Sequence, residues 1–497
     1  MKKILSLFLA SGGSLLLPSL SYASSHVSEH SEAVFDPSRG IFMAIIMIIV
    51  VGLIASELIH RTLIVFFVAS ALILLSYTLG HFFPWWDFLT LDKAFVAIDG
   101  QVIALLIAMM IIVGVMAQTN VFQWMAVKIF EFSKGRFIPL YFVFFFITAI
   151  FSAFLDNVTM MFLVTPVAIS IAKIFEVSPV KFIIALIIAS NLGGTATLIG
   201  DPPNIMIGSY AHLSFNAFIV NLGIPVFFML FIISTGAYMI LKGEFAKARK
   251  IDDLESVIQT LKTENPIYHP RLLVASLITL AFVIIGFFSH SFFHMPAAVP
   301  ALTGAGLLML MRDYLMRSKF HGEGLPKEKV EQQIHNTFSK DVEWLVIAFF
   351  VFLFMIVGAL EHTGILEVVA TFIQTTFGNN LLLCALAILW VSALFSMLLD
   401  NIPFTAVMLP VVASLVANYS SMGLDANFLW WALAFGACLG GNGTLIGASA
   451  NLVGAALLEK QKYHLSFGEY FKTGFPLTIA QISMASVAIY IMYLMSV

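Results

Sequence analysis

The sequence predicts an all-α polytopic membrane protein of two inverted-topology repeats, each with a re-entrant hairpin and an interrupted helix. Three observations carry that prediction: a membrane-like composition, basic residues confined to alternate links, and an internal repeat that copies a helix-breaking motif. Hydrophobic residues make up 60% of the 497 and charged residues 11%, against roughly half and a quarter in soluble domains. Apolar runs long enough to cross a hydrocarbon core about 30 Å thick recur along the chain, and only helices or closed barrels satisfy their backbone in lipid. The runs read as helices over 41–59, 62–80, 95–117, 138–154, 156–174, 182–200, 217–241, 272–290, 296–311, 344–360, 381–399, 401–418, 428–446 and 473–495. A net charge of −3 gives no support to nucleic-acid binding.

Ahead of the first run, Lys2 and Lys3 precede an apolar stretch from Ile4 to Leu17 and a small-x-small site at Ser21-Tyr22-Ala23, the pattern of a secretory signal. Residues 1–23 are therefore expected to be a signal peptide, with an uncleaved first helix as the alternative. Residues 24–40 then form a periplasmic segment of a bacterial inner-membrane protein. The first repeat spans 41–241, a cytoplasmic linker 242–271, and the second repeat 272–497 with a cytoplasmic loop at 312–340. Cys384 and Cys438 both lie in apolar runs and suggest neither a disulfide nor a metal site. Trp85-Trp86 and Trp430-Trp431 read as interfacial aromatics.

The orientation follows from charge. Links 242–271 and 312–340 are rich in Lys and Arg, which places both on the cytoplasmic side. With 138–174 and 381–418 each entering and leaving by a single side, the first hairpin from the cytoplasm and the second from outside, every Lys and Arg beyond the signal segment except Arg39 and Lys93 falls on the cytoplasmic side. Charge alone also permits two full spans in each pair; the break at Asp-Asn favours a hairpin.

The repeat constrains the chain further. A shift of 244 residues lays FSAFLDNVTMMFLVTPV (151–167) on FSMLLDNIPFTAVMLPV (395–411), matching Asp156 with Asp400 and Asn157 with Asn401. The same shift carries Asp99 onto Glu343, and a shift of 247 lays LGGTATLIGDPPN (192–204) on LGGNGTLIGASAN (439–451). Inverted repeats with helices broken at the midplane are a transporter architecture. Freed backbone at that depth is tolerated only where protein buries it or it lines a cavity.

An ionisable residue inside an apolar context costs a few kcal/mol on insertion scales, so Asp156 and Asp400 ask for a reason. A carboxyl held there exchanges a proton for a metal cation such as Na⁺, whereas the structural alternative is a cap on each half-helix. Asn157, Asn401, Thr197, Thr444, Asn204 and Asn451 supply neutral oxygens of the kind hard cations prefer. Gly193, Gly194, Gly440 and Gly441 let carbonyls approach an ion closely, and Asn191 and Asn442 bring two more amides to the same region. Asp201 faces Ala448 across the repeat and is either a third ion or proton ligand or a turn residue ahead of Pro202-Pro203. Asp99 and Glu343 are access-path carboxylates or interfacial charges. His81, His212 and His290 lie near outer boundaries, where amphipathic interfacial placement competes with pH sensing. No nucleophile-base constellation or metal-ligand cluster suggests an enzyme or a cofactor.

On these residues the chain resembles NhaD-type sodium/proton antiporters of the ion transporter superfamily, over nearly its whole length. The resemblance implies Na⁺ and Li⁺ efflux driven by inward protons, no cofactor, surrounding membrane lipid, and a homodimer. Sodium-coupled dicarboxylate carriers of the same superfamily bear Ser-Asn-Thr at their hairpin tips, where this chain has Asp156-Asn157-Val158 and Asp400-Asn401-Ile402. The exchange removes hydroxyl donors and adds a carboxylate, favouring a cation over an anion.

Overall fold

The computed structural model describes residues 36–496 apart from positions 57, 252, 318–326 and 379. The expected signal peptide at 1–23, and the periplasmic segment up to residue 35, lie outside the described residues. All regular structure among the described residues is helical, because apolar runs in lipid must close their hydrogen bonds internally.

In the first repeat, α1 (Pro37–Ser56) and α2 (Arg61–Phe82) lead to α3 (Leu91–Ala97) and α4 (Gly100–Ala117). An amphipathic α5 (Val121–Phe132) precedes the hairpin α6 (Phe137–Ser152) and α7 (Asn157–Ile174). The broken helix α8 (Pro179–Gly194) and α9 (Pro202–Tyr210) follows, then α10 (Phe215–Phe245), which contains a π-helical turn at Ile219–Gly223. After the linker helix α11 (Leu254–Glu264), the second repeat opens with α12 (Pro270–Ser289), α13 (Ala298–Arg317) and a polar α14 (Lys327–Asn336). It continues with α15 (Trp344–Glu361), α16 (Ile365–Phe377), the hairpin α17 (Leu381–Leu398) and α18 (Asn401–Ser421), the broken helix α19 (Phe428–Gly440) and α20 (Ser449–Lys460), and α21 (Phe467–Ser496).

The sequence repeat is thus a structural one, and the two hairpins point opposite ways. The open end of α6–α7 lies on the face of the basic linker, where Arg249 pairs with Glu176 at 2.8 Å and Lys262 pairs with Glu131 of α5 at 3.0 Å. The chain leaving α18 reaches the other face, where Trp430 of α19 packs on Tyr210 and Tyr210 bonds Glu361 at the end of α15. Hence one face carries the basic links, and the repeats are inverted about the plane between the faces.

The expected span boundaries need three revisions. Spans 182–200 and 428–446 are each a helix followed by an unwound segment and a second short helix, because Gly-rich sequence and, in the first, Pro202-Pro203 interrupt the ladder. Span 95–117 begins at Gly100, where Asp99 caps α4 by accepting from Gln101 N at 2.9 Å and Val102 N at 3.1 Å. The outward link 361–380 contains α16, introduced by a left-handed Gly364 (φ +71°), as Asn120 (φ +64°) introduces α5 at the equivalent point. Trp430 and Trp431 are buried rather than interfacial, because Tyr210 and Phe218 cover them.

Packing exchanges elements between the repeats. α2 lies on α15 and α13 on α4, while α20 packs against α7 and α8 and α9 packs against α18 and α19. Each broken helix therefore ends inside the opposite repeat, which brings both breaks and both hairpin tips to the centre.

Candidate functional site at the meeting of two hairpin tips

The tips are built alike. Asp156 caps α7, its backbone extended (φ −60°, ψ 150°), and its carboxylate accepts the N–H of Thr159 at 2.9 Å together with the Thr159 hydroxyl. Asp400 caps α18 (φ −56°, ψ 135°) and accepts the N–H of Ile402 at 3.2 Å. The capping alternative therefore holds for both residues. It does not exhaust them, since a carboxylate offers about four lone-pair sites.

Each unwound segment is held in place by the same three devices. The Thr197 hydroxyl donates to Ala153 O and accepts from Ile199 N and Gly200 N, while the Thr444 hydroxyl donates to the equivalent Met397 O. Asn204 donates to Thr195 O at 3.1 Å and Thr197 O at 2.9 Å; Asn451 donates to Gly441 O at 2.8 Å and Thr444 O at 2.9 Å. Glycine permits the close approach: a Cβ on Gly193 would meet the Ala149 carbonyl, and one on Gly440 would lie 2.6 Å from Ala393 O. Gly194 and Gly441 face Gly200 and Gly447 across the same turns. Thr197, Thr444, Asn204 and Asn451, read from sequence as ion ligands, thus commit side-chain groups to the scaffold.

From the first tip runs a buried amide chain. Asn157 donates to Asn191 at 3.1 Å, Asn191 donates to Asn442 at 3.0 Å and Asn451 at 2.8 Å, and Asn442 donates to Gln481 of α21 at 3.0 Å. On the other side, Cys438 Sγ donates to Asn204 at 3.3 Å. Cys438 is the repeat mate of Asn191, so the two donate crosswise into the opposite repeat. Asp201, 1% exposed, accepts from Asn401 at 3.3 Å, and Asn157 and Cys438 also face its carboxylate. The two tip asparagines therefore meet the first repeat's broken helix, one at Asn191 and one at Asp201.

Charge at the centre is unequal. Asp156, Asp201, Asp400 and Glu343 are electrostatic neighbours in pairs, Asp201 with Asp400 and Asp156 with Glu343. Against these four carboxylates the described residues place one guanidinium, that of Arg61, ion-paired with Asp400. Arg61, Glu343, Asp400 and Ser449 line a cavity of about 350 Å³ together with Val158 and Phe162 of α7. A cavity of about 410 Å³ near the start of α4 is lined by Gln101, Ile205, Ser209, His212, His290 and His294. These cavities are repeat counterparts: Ile205 corresponds to Leu452, which lines the first. Of these two, the cavity at Arg61 is the one that reaches a tip aspartate. The pair read as equivalent thus separates, with Glu343 lining a cavity and Asp99 capping a helix.

Sequence reading missed Arg61, Ser449, Gln481 and Cys438. Cys438 carried a usable signal, because the 247-residue shift lays it on Asn191. Arg61 carried none, since a basic residue at a span start is what orientation alone requires.

Comparison with known proteins agrees with this architecture. The YdaH transporter of Alcanivorax borkumensis superposes with a TM-score of 0.55 at 16% identity, covering 87% of this chain and 98% of that one. An uncharacterized transporter of Mycobacterium tuberculosis is 34% identical over 441 residues, 89% of this chain and 96% of its own length. The P protein of Homo sapiens is 33% identical over 503 residues, 86% of this chain, which spans 57% of that longer protein. The CitMHS family, described as a citrate transporter, matches residues 42–436. With ten helices among the described residues long and apolar enough to cross a membrane, this chain is a multi-pass membrane protein and belongs to the CitMHS transporter family of the ion transporter superfamily.

Proposed function

We propose that this chain is a secondary Na⁺(Li⁺)/H⁺ antiporter of NhaD type, exporting Na⁺ from the cytoplasm across a bacterial inner membrane, with its mature N-terminus in the periplasm. The observation that carries the reading is the convergence of two aspartate-bearing tips and Asp201 at the centre of the bundle, four carboxylates with Glu343 against one guanidinium. Two unit charges 5 Å apart repel by about 3 kcal/mol even at an effective dielectric near 20, so such a cluster recruits cations. Asp156 and Asp400 alternate between a protonated and an ion-bound state, and Asp201 is a third titrating ligand. Asn157 and Asn401 provide amide oxygens beside them, while Thr197, Thr444, Asn204, Asn451 and the glycines hold the unwound backbone in place. Na⁺ and H⁺ cannot share one carboxylate, which couples their fluxes. The membrane potential contributes about 2.3 kcal/mol per charge per 100 mV.

A second reading, sodium-coupled transport of a dicarboxylate or similar anion, is favoured by Arg61 in the cavity and by the family's description as a citrate transporter. Inside-acid vesicles with a pH-sensitive dye separate the two. Prompt alkalinisation on adding NaCl or LiCl alone, lost in Asp156→Asn and in Asp400→Asn while both variants still insert, is the expected result. Silence until citrate or succinate is supplied with Na⁺ selects the anion reading.

A further inference from the structure

Arg61 opens α2, and its guanidinium is ion-paired with Asp400 at the tip of the other repeat's hairpin, 339 residues away in sequence. Ser449 contacts the same guanidinium and donates to the same carboxylate oxygen at 2.7 Å. The guanidinium also stands over Phe349, with Cζ 5.0 Å from the ring centroid, where the aromatic face gives a cation a second resting place.

Three features separate this pair from a surface ion pair. The Asp400 side chain is 9% exposed while that of Arg61 is 22% exposed, and both line the same cavity, so an ion entering there reaches the carboxylate past the guanidinium. The pair is also absent from the repeat: Asp156 is bonded to Thr159 instead, α13 carries no basic residue before Arg312, and the mate of Ser449 is Pro202. Third, α2 is packed on α15, outside the hairpin that presents Asp400.

We propose that Arg61 is a tethered counter-cation that holds the Asp400 subsite between transport events and is displaced by the incoming ion. This rests on the reading of Asp400 as an ion ligand. A buried carboxylate left without a partner is strongly destabilising, and the guanidinium supplies that partner whenever neither Na⁺ nor H⁺ is bound. Apparent affinity falls by the fraction of time the site is free. A pair closed about nine-tenths of the time therefore weakens Na⁺ binding about tenfold. The tether also links the emptied tip to a helix outside the hairpin, which opposes return of an empty, uncoupled carrier. Arg61 in this role is a positioning and specificity residue.

The test compares wild type, Arg61→Gln, Arg61→Lys and Ser449→Ala in two assays: half-saturating NaCl for exchange in vesicles, and NaCl-dependent thermal stabilisation of purified protein against choline chloride. Arg61→Gln should lower the half-saturating Na⁺ concentration about tenfold in both. Arg61→Lys should restore the wild-type value, and Ser449→Ala should fall between. If Arg61→Gln no longer exchanges, the stabilisation assay decides on its own. Unchanged or weaker Na⁺ affinity in Arg61→Gln, with wild type active, overturns the tethered cation and leaves antiport standing. A wild type that neither exchanges nor is stabilised by Na⁺ overturns both.

Discussion

Asn191 has no exposure, yet its side chain accepts one hydrogen bond and donates two, to Asn157, Asn442 and Asn451. An interhelical hydrogen bond in a membrane protein averages about 0.6 kcal/mol, so losing all three costs about 2 kcal/mol. Asn191→Leu should lower the melting temperature of the detergent-purified protein clearly. Cys438→Ser, which keeps a donor toward Asn204, should change it little; equal losses in the two would show that the amide chain does not bear on stability. At this scale the sequence was readable wherever polarity was out of place: an Asp-Asn pair in an apolar run has few explanations, and its doubling pointed to the centre. It was silent on Arg61, whose partner lies on another repeat and whose charge already had an ordinary explanation.

The elements that mattered were legible when they broke a pattern and invisible when they were short. Both hairpins followed from Asp-Asn. By contrast, α9 and α20 are single pieces of 9 and 12 residues, at or below the shortest length at which periodicity identifies a helix. The close fit of break against hairpin gives a test. A Cβ on Gly200 would lie 2.6 Å from Gly194 O and 2.7 Å from Ser152 O, and one on Gly447 2.8 Å from Gly441 O and 2.9 Å from Ser396 O. These neighbours are backbone carbonyls, which cannot swing aside. Gly200→Ala should therefore abolish exchange and lower thermal stability, Gly447→Ala should follow with a smaller effect, and Gly243→Ala, which meets nothing within 4 Å, should be neutral in both assays. The turn before α16 is more permissive: Asn120 adopts φ +64° where its mate is Gly364, and Asn tolerates that region.

For the whole molecule, the inverted architecture was deducible from charge and repeat, but the exchange of elements was not, because a repeat says which segments correspond and nothing about which half they pack in. The packing of α9 on α18 and α19, and of α20 on α7 and α8, means that neither repeat closes its own core. Residues 1–250 and 251–497 expressed together should co-purify and exchange ions, with the cut falling in the exposed linker. Either fragment alone should be degraded or aggregate; a fragment stable by itself would show the exchanged contacts to be dispensable.

The same interlock bears on ancestry. A half-length protein of this design has no partner for its broken helix except a second copy lying upside down beside it. Standing alone, such a half would have to insert into the membrane in both orientations to complete its core. A single polypeptide fixes each half the right way up, which lets the basic residues sort to one face.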